Sequence, residues 1–309
     1  MMRGPLLLVA FGAAAISFAP VLVKVAALEG VGPATIGAWR CAIGGALLVA
    51  LAMARGAPLL PRRSAVRIAL IAGVAFALDL WVWHRSIVIV GAGMATILGN
   101  TQVFWTSAYG GIAYREPLSP RFLAAAGAAF VGVVLLAGIG SDVELSRYYL
   151  GGVGLGLATG LVYACYILAV QRATGGGRTG AAVEEVGPRS SQLTQSMHAL
   201  GWVALIAGAL LGTSAAIEGE ALVPPTARAW LALGGLAVVA QIIGWIAIAS
   251  GLRRAPASRA ALVLLLQPAL ATGWGFAFFD ERLQLLQLAG AVVTLTAIYL
   301  GATVTRSAR

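Results

Sequence analysis

GAGMATILGNTQVFWTSAYGGIAYREPLSPRFLAAAGAAFVGVVLL, residues 91–136, is matched by a second stretch further along the chain. Moved forward 165 positions, it lies on residues 256–301 without a gap. Gln102 falls on Gln267, Gly110 on Gly275, Glu116 on Glu281, Leu118 on Leu283, and Leu123-Ala124 on Leu288-Ala289. Tyr109 and Trp274, each seven residues after its Gln, also correspond. Both copies read as an apolar span with a mid-span Gln, a short charged break ending in Glu, and a second apolar span. Most matches are small or apolar, a class that chance supplies freely. Gln and Glu recurring at one offset in so apolar a chain are harder to obtain that way. A repeat fixes architecture, so the rest of the chain is read around it.

The chain has 309 residues, 60% hydrophobic and 10% charged, with mean hydropathy +0.91. A soluble domain carries about 25% charged residues. Apolar runs of about 20 residues, enough for a helix to cross a bilayer, recur from end to end. The net charge of +10 does not read as a nucleic-acid surface, because the basic residues punctuate the apolar runs instead of clustering on a polar face. Charge so distributed belongs to membrane orientation. Cys41 and Cys165 sit inside apolar runs, with neither a disulfide framework nor metal-ligand spacing. No metal or cofactor is expected. The N-terminal run continues through Pro20 to Leu28 and reads as a retained first span, not a cleaved leader.

Ten spans are predicted, near 5–27, 33–54, 67–88, 91–113, 121–139, 151–172, 190–213, 229–251, 258–279 and 284–303. The fold class is therefore all-α membrane protein, in two five-helix halves, residues 1–139 and 140–309. The linker loop 173–189, with Gly175-Gly176-Gly177 and Glu184-Glu185, falls inside the second half. With the N-terminus in the cytoplasm, fifteen arginines lie on the cytoplasmic side and four (Arg85, Arg147, Arg228, Arg282) outside, Lys24 and Arg40 being within spans. That bias places both termini in the cytoplasm. Five spans per half is odd, so the second half enters from the opposite face. Glu116 becomes cytoplasmic and Glu281 external. An inverted repeat of this kind is the architecture of carriers. Gly152, Gly156 and Gly160 share a helix face, which is a signal for close packing and carries no chemistry.

Asp79 is the one acid well inside a span, and Lys24 and Arg40 are the basic residues there. His84 lies toward the outer end of span 3. A charge at a helix centre costs about 2.5–3.5 kcal/mol on insertion scales and usually faces a cavity or a partner. Asp79 is expected to pair with Lys24 or Arg40, either as an interhelical lock or as part of a coupling mechanism. Near mid-depth come Asn100, Gln102, Gln241 and Gln267, whose amides need partners in hydrocarbon. Gln102, Trp105, Thr106 and Tyr109 share one helical face. Gln267 with Trp274 repeats that pattern, and Gln241 with Trp245 resembles it. Tyr163 and Tyr166 give span 6 an aromatic face, and Trp81, Trp83 and His84 do so for span 3. An apolar cavity with a few convergent amides suits a small amphipathic solute, and aromatic faces attract cations. The competing reading makes some of these aromatics interfacial belt residues, as for Trp39 and Trp230 near span ends. Pro20 and Pro268 remove helix hydrogen bonds and bend their spans.

Ten spans, two halves and the endings Glu116-Pro117-Leu118 and Glu281-Arg282-Leu283, each followed by a glycine-bearing span, resemble the drug/metabolite transporter superfamily in its EamA-type branch. Arg40 also matches a position where that family often carries Arg. The second half departs from the pattern by placing His198 where Arg40 would correspond. The resemblance implies a basket in which spans 1, 3, 4, 6, 8 and 9 surround a central cavity and spans 5 and 10 lie outside. It further implies export of amino acids and related metabolites, aromatic amino acids among them.

The expectation is thus a multi-pass inner-membrane carrier, not an enzyme, with a small molecule as substrate, the bilayer as surrounding partner, and a monomer or weak dimer as its state. Asp79, Trp83, His84, Asn100, Gln102, Trp105, Tyr109, Tyr163, Tyr166, Gln241, Trp245, Gln267 and Trp274 are the expected substrate-facing residues, and Lys24, Arg40 and Asp79 the expected charge pair or coupling group. Two rival classes remain: a membrane-embedded enzyme acting on a lipid-linked substrate, which would want a fuller set of acids, histidines or metal ligands, and a channel, which would want a ring of charged or carbonyl ligands.

Overall fold

Each of the ten predicted segments holds helix in the computed structural model, which describes residues 3–61, 63–114, 119–139, 144–173, 192–252 and 263–307. Segment 1 is α1 (Arg3–Ser17) and α2 (Ala19–Leu28); segment 2 is α3 (Pro33–Met53); segment 3 is α4 (Arg63–Val90). Segment 4 is α5 (Ala92–Gly99) with α6 (Gln102–Tyr114), and segment 5 is α7 (Pro120–Leu136). Then come α8 (Arg147–Ala173) and α9 (Gln192–Ile217). Segment 8 is α10 (Ala227–Gly235), a π-helical stretch (Leu236–Gly244) and α11 (Trp245–Leu252). Segments 9 and 10 are α12 (Leu266–Phe279) and α13 (Leu285–Ser307). No strand occurs among the described residues. Glu116, Leu118 and the 174–189 part of the linker lie outside them.

Among the described residues, six runs are long and apolar enough to cross a membrane: Gly4–Leu28, Pro33–Met53, Ala65–Val90, Arg147–Ala169, Leu193–Ile217 and Ala227–Ile248. Pro120–Leu136 and Leu285–Leu300 are shorter apolar helices. Helix starts are set locally. Ser119 accepts from the Phe122 amide (3.2 Å) with Pro120 in the first turn of α7, and Thr226 accepts from the Ala229 amide (3.1 Å). Both satisfy N–H groups that a helix leaves unpaired.

Two segments break in the middle. Segment 1 is interrupted at Phe18, where Pro20 enters the first turn of α2. Segment 4 is interrupted at Asn100–Thr101, where no proline is present. There the Asn100 amide donates to the Thr96 carbonyl (2.8 Å) and the Thr101 hydroxyl to the Leu98 carbonyl (2.7 Å), so side chains serve the broken end. The helix before α12 breaks at Leu265, and 165 positions separate Asn100 from Leu265. The break recurs in the register of the repeat. Gln102 begins one half-helix, and Gln267 is the second residue of the other.

Helix pairing has a regular pattern. α3 packs on α9, α7 on α13, α5 on α12, α4 on α8, and α1 on α11 and the π stretch. By segment these pairs are 2–7, 5–10, 4–9, 3–6 and 1–8. Exchanging the halves leaves the first three unchanged and swaps the last two. The mates run antiparallel. Gly37 faces Leu211 whereas Gly45 faces Gly201 and Leu205, and Gly132 faces Thr294 whereas Gly290 faces Leu136. Close approach depends on missing side chains. A Cβ on Gly45 would stand 2.9 Å from the Gly201 carbonyl oxygen, and one on Gly208 3.1 Å from the Ala42 nitrogen. In lipid, where burying apolar surface between helices gains nothing over lipid tails, such contacts are a main source of attraction.

Turns from alternate ends of the helices meet one another. Glu281, after α12, reaches Lys24 and the start of α5; Glu220, after α9, reaches the start of α3. Glu29, after α2, accepts from Thr226 (2.7 Å), and Tyr149 at the start of α8 approaches Met94 and Gln287. At the other end, Leu59 between α3 and α4 accepts from Trp202 of α9 (3.0 Å).

Gly45→Leu forces α3 and α9 apart and is expected to destabilise the protein by about 1–3 kcal/mol, the usual cost of overpacking. Gly127→Leu, at a position with open space around it, is expected to be close to neutral. Thermal unfolding of both variants in detergent checks the contrast.

Candidate functional site

α3, α4, α8 and the π stretch bring seven of the predicted residues together in the seam between the halves. Arg40 is 4% exposed, Asp79 6% and His84 not at all. Arg40 Nε donates to Gln241 Oε1 across the seam (3.3 Å), and its guanidinium lies over the Trp83 ring at 5.8 Å. Asp79, Tyr163 and Tyr166 are among the electrostatic neighbours of Arg40. Tyr163 and Tyr166 stack at 6.1 Å, and Phe76 stacks on Tyr166 at 4.7 Å. His84 uses Nδ1 on the Pro33 carbonyl (3.1 Å).

Sequence order explains the assembly. Asp79, Trp83 and His84 lie within five residues on α4, so 79 and 83 stand one turn apart on one face. Gly44, one turn after Arg40, leaves room for Gln241, whose amide nitrogen would lie 2.7 Å from a Cβ there. Gln241 lies inside the π stretch, and short π segments inside α-helices occur frequently at functional sites. Three buried side-chain atoms have no hydrogen-bond partner in the protein among the described residues: Arg40 Nη1, Asp79 Oδ1 and His84 Nε2. All three belong to this cluster. Buried polar atoms are ordinarily satisfied, and each exception calls for an explanation.

The other predicted residues stand apart from it. Gln102 meets α8 at Gly160, one turn before Tyr163, where a Cβ would lie 3.2 Å from the Gln102 nitrogen. Trp105 is exposed; Tyr109, Trp245 and Gln267 are half-buried. Asn100 serves the break already described. Trp274 donates to the Ser17 hydroxyl (2.9 Å) and stacks on Phe18 at 4.7 Å, which ties α12 to the break in segment 1. Lys24 does not pair with Asp79. Its ammonium pairs with Glu281 and lies 4.7 Å from the Phe279 ring centroid. Of the two partners open to Asp79 in the sequence, Arg40 is an electrostatic neighbour, but no hydrogen bond or ion pair joins the two among the described residues. No group of three or more His, Cys, Asp or Glu suited to a metal occurs among the described residues.

Nothing in the sequence signalled the role of the acids after α9. Glu220 accepts from the Ala34 and Thr35 amides (3.2 and 2.8 Å) and caps α3. Arg85 pairs with Glu218 and lies 3.9 Å from Glu220. Burial opposes ionisation of Glu218, but hydrogen bonds from Ser214, Trp81 and Arg85 outweigh it and hold the carboxyl below its ordinary value. A depressed folded value adds stability that is full above the unfolded value and is lost as pH falls through the folded one.

Residues 3–138 and 150–303 match the EamA-like transporter family. The chain belongs to that family. It is thus a multi-pass membrane protein and a transporter. A curated relative from Salmonella typhimurium, described as a "Probable amino-acid metabolite efflux pump", is 29% identical over 227 residues, 71% of this chain and 71% of that one. A solved crystal structure matches with TM-score 0.64 at 17% identity, covering 98% of this chain and 100% of its own, and so shares the fold.

Two outcomes are expected. Gln241→Leu removes the acceptor of a charged donor, a loss of about 1.5–3 kcal/mol, and adding Arg40→Met recovers most of it in a double-mutant cycle of unfolding. For Glu218→Gln, the deficit in Tm at neutral pH is expected to vanish as pH falls below the ordinary glutamate range at about 4.3.

Proposed function

We propose that this EamA-family transporter is an inner-membrane carrier that exports small organic metabolites by alternating access, amino acids and aromatic ones among them. In this reading all ten segments cross the membrane. Residues 1–139 and 140–309 form two inverted halves, and both termini lie in the cytoplasm. The arginine bias supports the orientation. The self-mapping helix pairs, the antiparallel mates and the shared break at Asn100 and Leu265 support the inversion. The two family matches, 3–138 and 150–303, fall on either side of the boundary between the halves. The relative described as an amino-acid metabolite efflux pump supports the substrate class.

The observation that carries the function is the cluster of unpartnered polar atoms in the seam. Arg40 Nη1 and His84 Nε2 offer binding capacity for a carboxylate, and Asp79 Oδ1 for an ammonium group. The stacked Tyr163 and Tyr166 and the Trp83 ring offer faces for an apolar or aromatic side chain. Rocking of the halves would open the seam to each side in turn. Half-helices start within segments 4 and 9, at Gln102 and Leu266, and discontinuous helices are a feature of carriers.

Reconstituted in liposomes, the protein is expected to catalyse saturable, counter-substrate-stimulated flux of one or more amino acids. Asp79→Asn and Arg40→Met are expected to lower that flux at least tenfold while the detergent-solubilised protein stays monodisperse, and Asp79→Asn to alter its pH dependence. Flux of no amino acid would overturn the substrate class, and unchanged flux of Asp79→Asn at every pH would remove Asp79 from the mechanism.

A further inference from the structure

A cavity lies where the turns after α4 and α12 meet α2, and none of the Arg40 cluster lines it. Its volume is about 320 Å³, within the range of sites that take small organic molecules. Apolar wall comes from the end of α4 and the start of α5 (Val88–Val90, Met94), and the polar groups are Lys24, Tyr149, Thr272, Glu281, Arg282 and Gln287.

Lys24 is the one lysine in the chain. Its ammonium is held by Glu281 Oε1, while the other oxygen of that carboxylate, Oε2, accepts from the Ala92 amide (2.9 Å) and caps α5. One side chain therefore does two separable jobs. Gly91 permits this closeness: its φ is +90°, and a Cβ there would lie 2.6 Å from Glu281 Oε2. If Glu281 releases Lys24, α5 keeps its cap. Lys24, only 22% exposed, then needs another counter-charge, because a partly buried ammonium without one is costly. Whatever takes the place of Glu281 must bring a negative group. Arg282 in the same wall, 74% exposed, is already paired with Asp280 (2.8 Å).

We propose that this cavity is the outer subsite of the transport path and binds the carboxylate of the solute, which displaces Glu281 from Lys24 and so parts α2 from the turn after α12. The proposal rests on the carrier reading given above.

Thr272→Cys, in a Cys41→Ala, Cys165→Ala background, places a thiol in the cavity wall. Labelling by a membrane-impermeant maleimide in right-side-out vesicles is the readout, with L-phenylalanine and phenethylamine as probes. L-phenylalanine is expected to slow labelling several-fold, and phenethylamine, which lacks the carboxylate, to leave it unchanged. Lys24→Met is expected to abolish the protection. Glu281→Gln, whose amide oxygen can still cap α5, is expected to raise labelling several-fold in the absence of solute. Equal protection by both probes, protection that survives Lys24→Met, or wild-type labelling of Glu281→Gln would overturn the proposal. L-phenylalanine flux measured in the same vesicles separates the two readings: flux without protection sinks the outer subsite alone, whereas absence of both sinks the carrier reading for that solute as well.

Discussion

A guanidinium buried among apolar helices has to be answered from several directions at once, and Arg40 sets that requirement for this protein. Gln241 answers from the second half across the seam, Trp83 with its ring face, and Asp79 with opposite charge. None of these satisfies it fully, since Nη1 keeps an unused hydrogen bond. In an apolar surrounding an incompletely paired charge is costly. A soluble core replaces such a group at little loss and often with gain. A carrier has reason to keep it, because the missing interaction is one that a passing solute can supply.

The architecture puts that charge where α3 and α4 meet α8 and the π stretch. Glycine-mediated contacts bring α3 against α9 and α7 against α13 as antiparallel mates, and the seam cluster draws on both halves. Contacts of this sort are numerous but individually weak. Ion pairs add to them. Lys24 with Glu281 and Arg85 with Glu218 each join elements distant in sequence, and the acids Glu281 and Glu220 hold helix starts at the same time.

Much of this was legible in the chain. Charges inside apolar runs are rare enough that Arg40, Asp79 and His84 announce themselves. The aromatic faces of α4 and α8 followed from helical spacing. The partner of Lys24 did not, because Glu281 lies 257 positions away and stood out only as a marker of the repeat, with nothing local to tie it to α2. Nor did the break at Asn100–Thr101, which has no proline to mark it and is held by side chains bonding back to the preceding turn. Gln102 and Gln267, matched by the 165-residue offset, lie at or next to the start of two half-helices, and no described contact ties either amide to the Arg40 cluster.

The most direct measurement is a density map of the protein in lipid nanodiscs with a transported amino acid bound. The account predicts solute density in the seam, its carboxylate on Arg40 and its ammonium on Asp79, with α3 and the π stretch parted enough to admit it. Solute found outside the seam, with Arg40 and Asp79 satisfied by protein groups alone, would contradict it.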